Sequence, residues 1–149
     1  MRRDPRWVRK FMERADLDAV ARAVSEAEAG TSGEIRVHLE ARCPGDAMRR
    51  AITVFERLGM TRTALRNGVL IYLAIEDRKL AVIGDAGIHQ RVTPADWERL
   101  RDTLVADLRR GRPRDGLLQA VRDVGEMLRR HFPRAPDDRD ELSDRVSVD

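Results

Sequence analysis

Glu34, Asn67 and Asp85 are the residues of this chain best suited to chemistry, because each brings a side-chain oxygen to a glycine-rich neighbourhood. Asn67 precedes Gly68, and Asp85 lies between Gly84 and Gly87. Two carboxylates and an amide oxygen, with backbone carbonyls beside them, suit Ca²⁺, which takes about six to eight oxygen ligands in loose geometry. Glycine helps because backbone groups can approach an ion with no Cβ in the way. Asp77 and His89 are lesser candidates for the same set. A plainer reading stands beside this one. Asn67-Gly68 and Asp85-Ala86-Gly87 are also turn sequences, in which Asn and Asp bond their own backbone, and Glu34 can pair with Arg36 or Arg66.

These residues converge only if the chain between them folds as a hairpin. Val69 to Ile75 is an unbroken apolar run, too short for a buried helix and rich in β-branched and aromatic residues, which predicts a central strand. Leu80 to Ile83 reads as the return strand and Glu76-Asp77-Arg78-Lys79 as a charged turn. Closing the hairpin brings Asp85 beside Asn67 and Gly68. Glu34 to Glu40 alternates, with Ile35, Val37 and Leu39 on one face and Arg36, His38 and Glu40 on the other. That pattern predicts a first strand that is an edge or is covered on one side. A helix separates it from the next strand, which implies parallel pairing through a right-handed crossover. The opposite sheet end then gathers Glu40, Arg42, Glu76 and Asp77. Open α/β sheets usually bind ligands at that end, although a charged turn explains the same residues.

Four helices are predicted around this sheet. Asp16 is the expected cap of the first, which runs to Ala29 and buries Leu17, Val20, Ala21, Val24 and Ala27. Asp46 caps the second, with Ala51, Val54, Phe55 and Leu58 inward and Gly59 closing it. Thr93-Pro94 opens the third, and the last runs from about Pro113 to Phe132-Pro133. The expected class is α/β: a small mixed β-sheet of three to four strands with about four packing helices. Residues 1–14 form a basic arm, 15–133 the domain, and 134–149 an acidic tail expected to be disordered. The arm carries Trp7 and Phe11, which suit a helix folded against the domain better than one lying on an anionic membrane.

Other chemistries find little support. The run CPGDAMR leads from Cys43 to Arg49 but opens a capped helix, so its likeness to a thiolate phosphate loop is read as chance. Ser25 and Ser32 lack the His and Asp pattern of a triad. His38 falls on the polar face of the first strand and His131 at a helix end, which leaves His89 alone near the oxygen-rich cluster. Phosphate-ester hydrolysis would need a carboxylate-bound metal to generate the nucleophile.

The composition, 42% hydrophobic and 37% charged over 149 residues, fits one soluble domain with a heavily charged surface. No apolar run approaches the roughly 18 residues of a membrane span, and no secretory h-region follows the basic start. A lone Cys43 excludes an internal disulfide and fits a reducing compartment, so the cytoplasm is the expected location. The sequence pI of 9.7 is misleading, because the first 14 residues carry a net +4, the last 16 a net −3, and the middle only +2. With six aromatics in all, nucleic-acid binding is not expected. A protein partner is a separate possibility, using a sheet face that exposes Arg36 and His38.

The segment RNGVLIYLAIEDRKLAVIGDAGI resembles the centre of the TPM domain, a family named for a thylakoid acid phosphatase, a photosystem II repair protein and a nematode receptor-associated protein. TSGEIRVHLEARCPGD, AITVFERLGMTRT, the helix around Trp97 and GLLQAVRDVGEMLRRHFP extend the resemblance from Leu17 to Pro133. It is most similar to the short, single-domain bacterial members. The resemblance implies the α/β fold, carboxylate and glycine positions around the hairpin, and a role as a Ca²⁺ binder, an assembly factor or a metal-dependent acid phosphatase.

Overall fold

The computed structural model describes residues 4–134 and 146–149. Strands β1 (Glu34–Glu40) and β2 (Gly68–Ala74) run parallel, Glu34 beside Gly68 and Glu40 beside Ala74. β3 (Lys79–Gly84) returns antiparallel, with Val69 opposite Gly84 and Ala74 opposite Lys79, so the expected hairpin is present. A short β4 (Ser147–Val148) pairs parallel with His38 and Leu39 of β1, and the sheet order is β3-β2-β1-β4. The tail was expected to be disordered from Arg134 onward. Its last residues instead form this fourth strand, and positions 135–145 lie outside the described residues.

Helices α1 (Arg6–Phe11), α2 (Arg14–Glu28), α3 (Ala47–Arg57), α4 (Ala86–His89), α5 (Pro94–Arg109) and α6 (Pro113–His131) complete the domain. α2 begins at Glu13 with no side-chain cap, so Asp16 falls inside the first turn instead of capping it. Val8 and Met12 are buried in the main core, which ties the basic arm to the domain.

Strand alternation assigns the two layers. Ile35, Val37, Leu39, Val69, Ile71 and Leu73 face α2, α5 and α6, meeting Val20, Val24, Leu104, Leu117 and Val121. Leu70, Tyr72, Ala74, Ala81 and Ile83 face α3 and pack on Ala51, Val54 and Phe55. Both faces of β2 are therefore buried, which explains its unbroken apolar run. Each fully buried aliphatic side chain contributes roughly 1.5–3 kcal/mol.

α5 starts with a complete capping box. The Thr93 hydroxyl accepts from the Asp96 N–H, and the Asp96 carboxylate accepts from the Thr93 N–H at 3.2 Å. Thr93→Ala is expected to destabilise the fold by about 1 kcal/mol, read as a lower urea midpoint with an unchanged m-value.

Candidate functional site

The amino end of β1 and β2 brings the backbone of three of the sequence-derived candidates together. The Glu34 N–H donates to Asn67 O at 3.3 Å, and the Asp85 N–H donates to Gly68 O at 2.9 Å. Glu34, Asn67 and Asp85 are 2%, 1% and 7% exposed. Asp85 is heavily engaged. Its carboxylate takes both Arg66 Nε at 2.7 Å and an Arg66 terminal nitrogen at 2.8 Å, and it caps α4 through the Ala86 N–H at 2.7 Å. The Asn67 side chain donates to Ser32 Oγ at 3.3 Å, its own N–H donates to Thr63 Oγ1, and its Oδ1 is buried without a hydrogen-bond partner.

The backbone at this end is held under constraint. Arg66 is left-handed at φ 51, an unusual state for a non-glycine residue. The Gly87 N–H binds the Arg66 carbonyl at 2.9 Å. A Cβ on Gly87 would lie 2.3 Å from Leu65 O and 2.7 Å from Arg66 O, so that glycine is required by close approach of two backbones.

Two further candidates do not join the set. Asp77 sits at the opposite sheet end, where its carboxylate accepts from the Cys43 N–H at 2.7 Å and closes the turn against the loop after β1. His89 ends the four-residue α4 and leans on Trp97, ring centroids 6.2 Å apart.

At the carboxyl end of β1 lies a second polar cluster, of which the sequence reading named Glu40 but not its partners. His38 was expected on an exposed face, yet it is 1% exposed. The reason is sheet order: β1 is interior, with β2 on one side and β4 on the other, and Arg50 reaches from α3 to Glu40 on its polar face. Arg50 binds the Glu40 carboxylate through Nε at 2.9 and 3.0 Å and also through a terminal nitrogen. Tyr72 donates its hydroxyl to the same carboxylate and stacks on His38 at 6.1 Å. Arg57, two turns along α3, reaches Asp149, which also lies 3.3 Å from Arg50. His38 Nδ1 is 2.7 Å from Ser147 Oγ, whose hydroxyl donates to Val37 O. The imidazole tautomer decides the direction between Nδ1 and Oγ: a proton on Nδ1 makes the ring the donor, and a proton on Nε2 makes it the acceptor. Nε2 then faces Asp149 Oδ2 at 3.4 Å and Glu40 Oε1 at 3.8 Å.

Electrostatics follow from this packing. Burial pushes the Glu40 carboxyl up, but Arg50 and Tyr72 outweigh it and hold the group down at about 2, against 4.5 ordinarily. Burial, and then Glu40, raise the Tyr72 hydroxyl. Burial lowers the His38 pKa despite the raising influence of Asp149 and Glu40. The ligand atoms of His38, Glu40 and Asp149 lie within 4.8 Å of one another, a spacing that could hold a metal. Arg50 and Arg57 already neutralise both carboxylates, which disfavours a further cation there. The signal that could have exposed this cluster is the pair Arg50 and Arg57, seven residues apart on α3 and therefore on one helical face.

Cys43 to Arg49 has the Cys-x₅-Arg spacing of a thiolate phosphate loop and the right strand-to-helix setting. Its geometry is wrong for that chemistry. The thiol is 1% exposed and directed at Gly45 O, and the Asp46 carboxylate takes the Arg49 N–H at the helix start, where a phosphate would bind.

Comparison with known proteins agrees with the fold. The TPM domain sequence model matches residues 8–127. The NMR structure of BA42 protein from the psychrophilic bacterium Bizionia argentinensis superposes with a TM-score of 0.85 at 38% identity, covering 91% of this chain and 93% of that one. The N-terminal domain of cg2496 protein from Corynebacterium glutamicum shares the fold at a TM-score of 0.62 and 17% identity, over 78% of this chain and 74% of that one. No curated protein sequence matches. No described helix is long and apolar enough to cross a membrane. On the extent of these matches, the chain belongs to the TPM domain family.

Proposed function

We propose that this domain is a non-catalytic binding module for a divalent cation, Ca²⁺, at the amino end of β1 and β2. Glu34, Asn67 and Asp85 supply the oxygens. The observation that carries the reading is the Asn67 side-chain carbonyl, buried with no hydrogen-bond partner and one residue from the Gly68 carbonyl that binds Asp85. An unsatisfied buried acceptor costs about 1–3 kcal/mol, which a cation would recover. An oxygen-only donor set suits a hard ion. Asp77, at the opposite sheet end, contributes nothing to it.

Arg66 is the competitor. Its side chain is 51% exposed while that of Asp85 is 6% exposed, so the guanidinium can swing into solvent and release the carboxylate to an ion. Binding is therefore weak in the native chain. Arg66→Gln is expected to tighten Ca²⁺ binding and Asp85→Asn to abolish it, both measured by calorimetric titration after EDTA treatment. At about 100 times the dissociation constant, Ca²⁺ should stabilise the wild type by roughly 2.7 kcal/mol. An unchanged melting temperature in millimolar Ca²⁺ for both wild type and Arg66→Gln would refute the reading. Metal-dependent hydrolysis of a phosphate ester, lost in Asp85→Asn, would replace it with the acid-phosphatase alternative.

A further inference from the structure

The segment Val146–Asp149 lies along β1 as a ligand lies along a receptor. Its backbone adds a strand in which Ser147 pairs with His38 and Val148 with Leu39, and the Asp149 N–H donates to Leu39 O at 3.0 Å. Its side chains alternate. Val146 and Val148 pack on the main core. Ser147 and Asp149 turn the other way, the hydroxyl between Val37 O and His38 Nδ1, the carboxylate among Arg50, Arg57 and His38. Backbone bonds to a sheet edge, with pockets for alternate side chains, are the usual means of recognising an extended peptide.

We propose that the edge of β1, with His38 and with Arg50 and Arg57 from α3, is a peptide-binding site. It accepts an extended segment of a partner protein with the pattern apolar, Ser or Thr, apolar, Asp or Glu. The chain's own Val146–Asp149 occupies it in cis. Charge complementarity argues for an acidic side chain at the last position: Arg50 and Arg57 both reach the Asp149 carboxylate, and Arg50 also holds the neighbouring Glu40, which leaves Arg57 as the cation given to the occupant. The cis occupant is displaceable. It pairs over two residues, both partly exposed, and the Asp149 side chain is 38% exposed. A tethered occupant acts as a competitor at an effective concentration in the millimolar range, so a partner must outbid it or the tail must be released. This site is at the opposite end of β1 from the proposed cation site and does not depend on it.

The test uses the full-length chain, ¹⁵N-labelled, titrated with the synthetic peptide RVSVD while the amides of Val37 to Ala41 are followed. Asp149→Lys weakens the cis occupant, and Val148→Asp does so by a different route. The peptide is expected to shift the β1 amides of both variants at about tenfold lower concentration than in the wild type. The peptide RVSVN, lacking the acid, should bind these variants about tenfold more weakly, and adding Arg57→Ala should erase the difference between the two peptides. The proposal is overturned if neither variant responds to millimolar RVSVD, or if RVSVN binds equally well. It is also overturned if the wild type sediments as a dimer through exchanged tails, because a second copy would then be the occupant.

Discussion

Arg50→Ala is expected to destabilise the domain by about 3–5 kcal/mol at neutral pH, because it leaves a buried carboxylate without its main countercharge. The Glu40 side chain is 8% exposed, and its remaining partner would be the Tyr72 hydroxyl. The loss should depend on pH in a defined direction. With its pKa held at about 2 in the fold against 4.5 ordinarily, Glu40 contributes its stability fully above 4.5. That contribution, roughly 3 kcal/mol, fades as pH falls toward 2. In Arg50→Ala the Tyr72 hydrogen bond remains but the lowering by Arg50 is gone, so burial weighs more, the carboxyl rises, and acid relieves the penalty sooner. Urea melts of both proteins should therefore differ most at pH 7 and converge near about pH 2.5. A gap of constant size across that range would mean that Arg50 acts by packing its stem and not through its charge.

Gly87→Ala is expected to cost about 3 kcal/mol or more, lowering the melting temperature by roughly 6–12 °C. The added Cβ meets two carbonyl oxygens at 2.3 and 2.7 Å, and neither belongs to a flexible side chain. The segment that would have to yield is pinned by the Arg66 pairing to Asp85 and by the left-handed backbone at Arg66. Gly111→Ala is the useful contrast. That residue has φ +71 with nothing within 4 Å, so only the conformational penalty of about 1–2 kcal/mol applies. Comparable losses in the two variants would show that the close approach at Gly87 relaxes and that the amino end of the sheet yields to an added methyl group.

The hairpin, the parallel pair and most helix boundaries were legible because each rests on local pattern. Val69 to Ile75 is apolar on both faces, Thr93-Pro94 and Asp46 mark helix starts, and Gly59 and Gly111 mark ends. Reading β1 as an edge or half-covered strand failed for a physical reason. Polar alternation usually signals solvent, yet here Glu40 is met by Arg50 of α3 and His38 is covered by Tyr72 and the residues of β4. Arg50 and Arg57 share one face of α3, but beyond that spacing nothing in the sequence separates them from surface arginines. Ser147–Val148 could not be found because two residues at the end of an acidic segment have no periodicity to read. The return of the hairpin to the amino end was legible: Asp85 does land beside Gly68. Its details were not, because the bidentate grip of Arg66 depends on a backbone angle that composition does not encode.

The two flanks of the central strand pair close over very different lengths of chain. β2 and β3 meet across a turn of a few residues, whereas Ser147 finds His38 across 109 positions. Loop-closure entropy rises with that separation, and little apolar area is recovered by so short a strand. The terminal strand is thus expected to join late during folding and to leave early by local opening, which hydrogen exchange at the Asp149 amide would check. The rest of the sheet persists through those openings, so β1 spends part of its time with an uncovered edge while the globule stays intact.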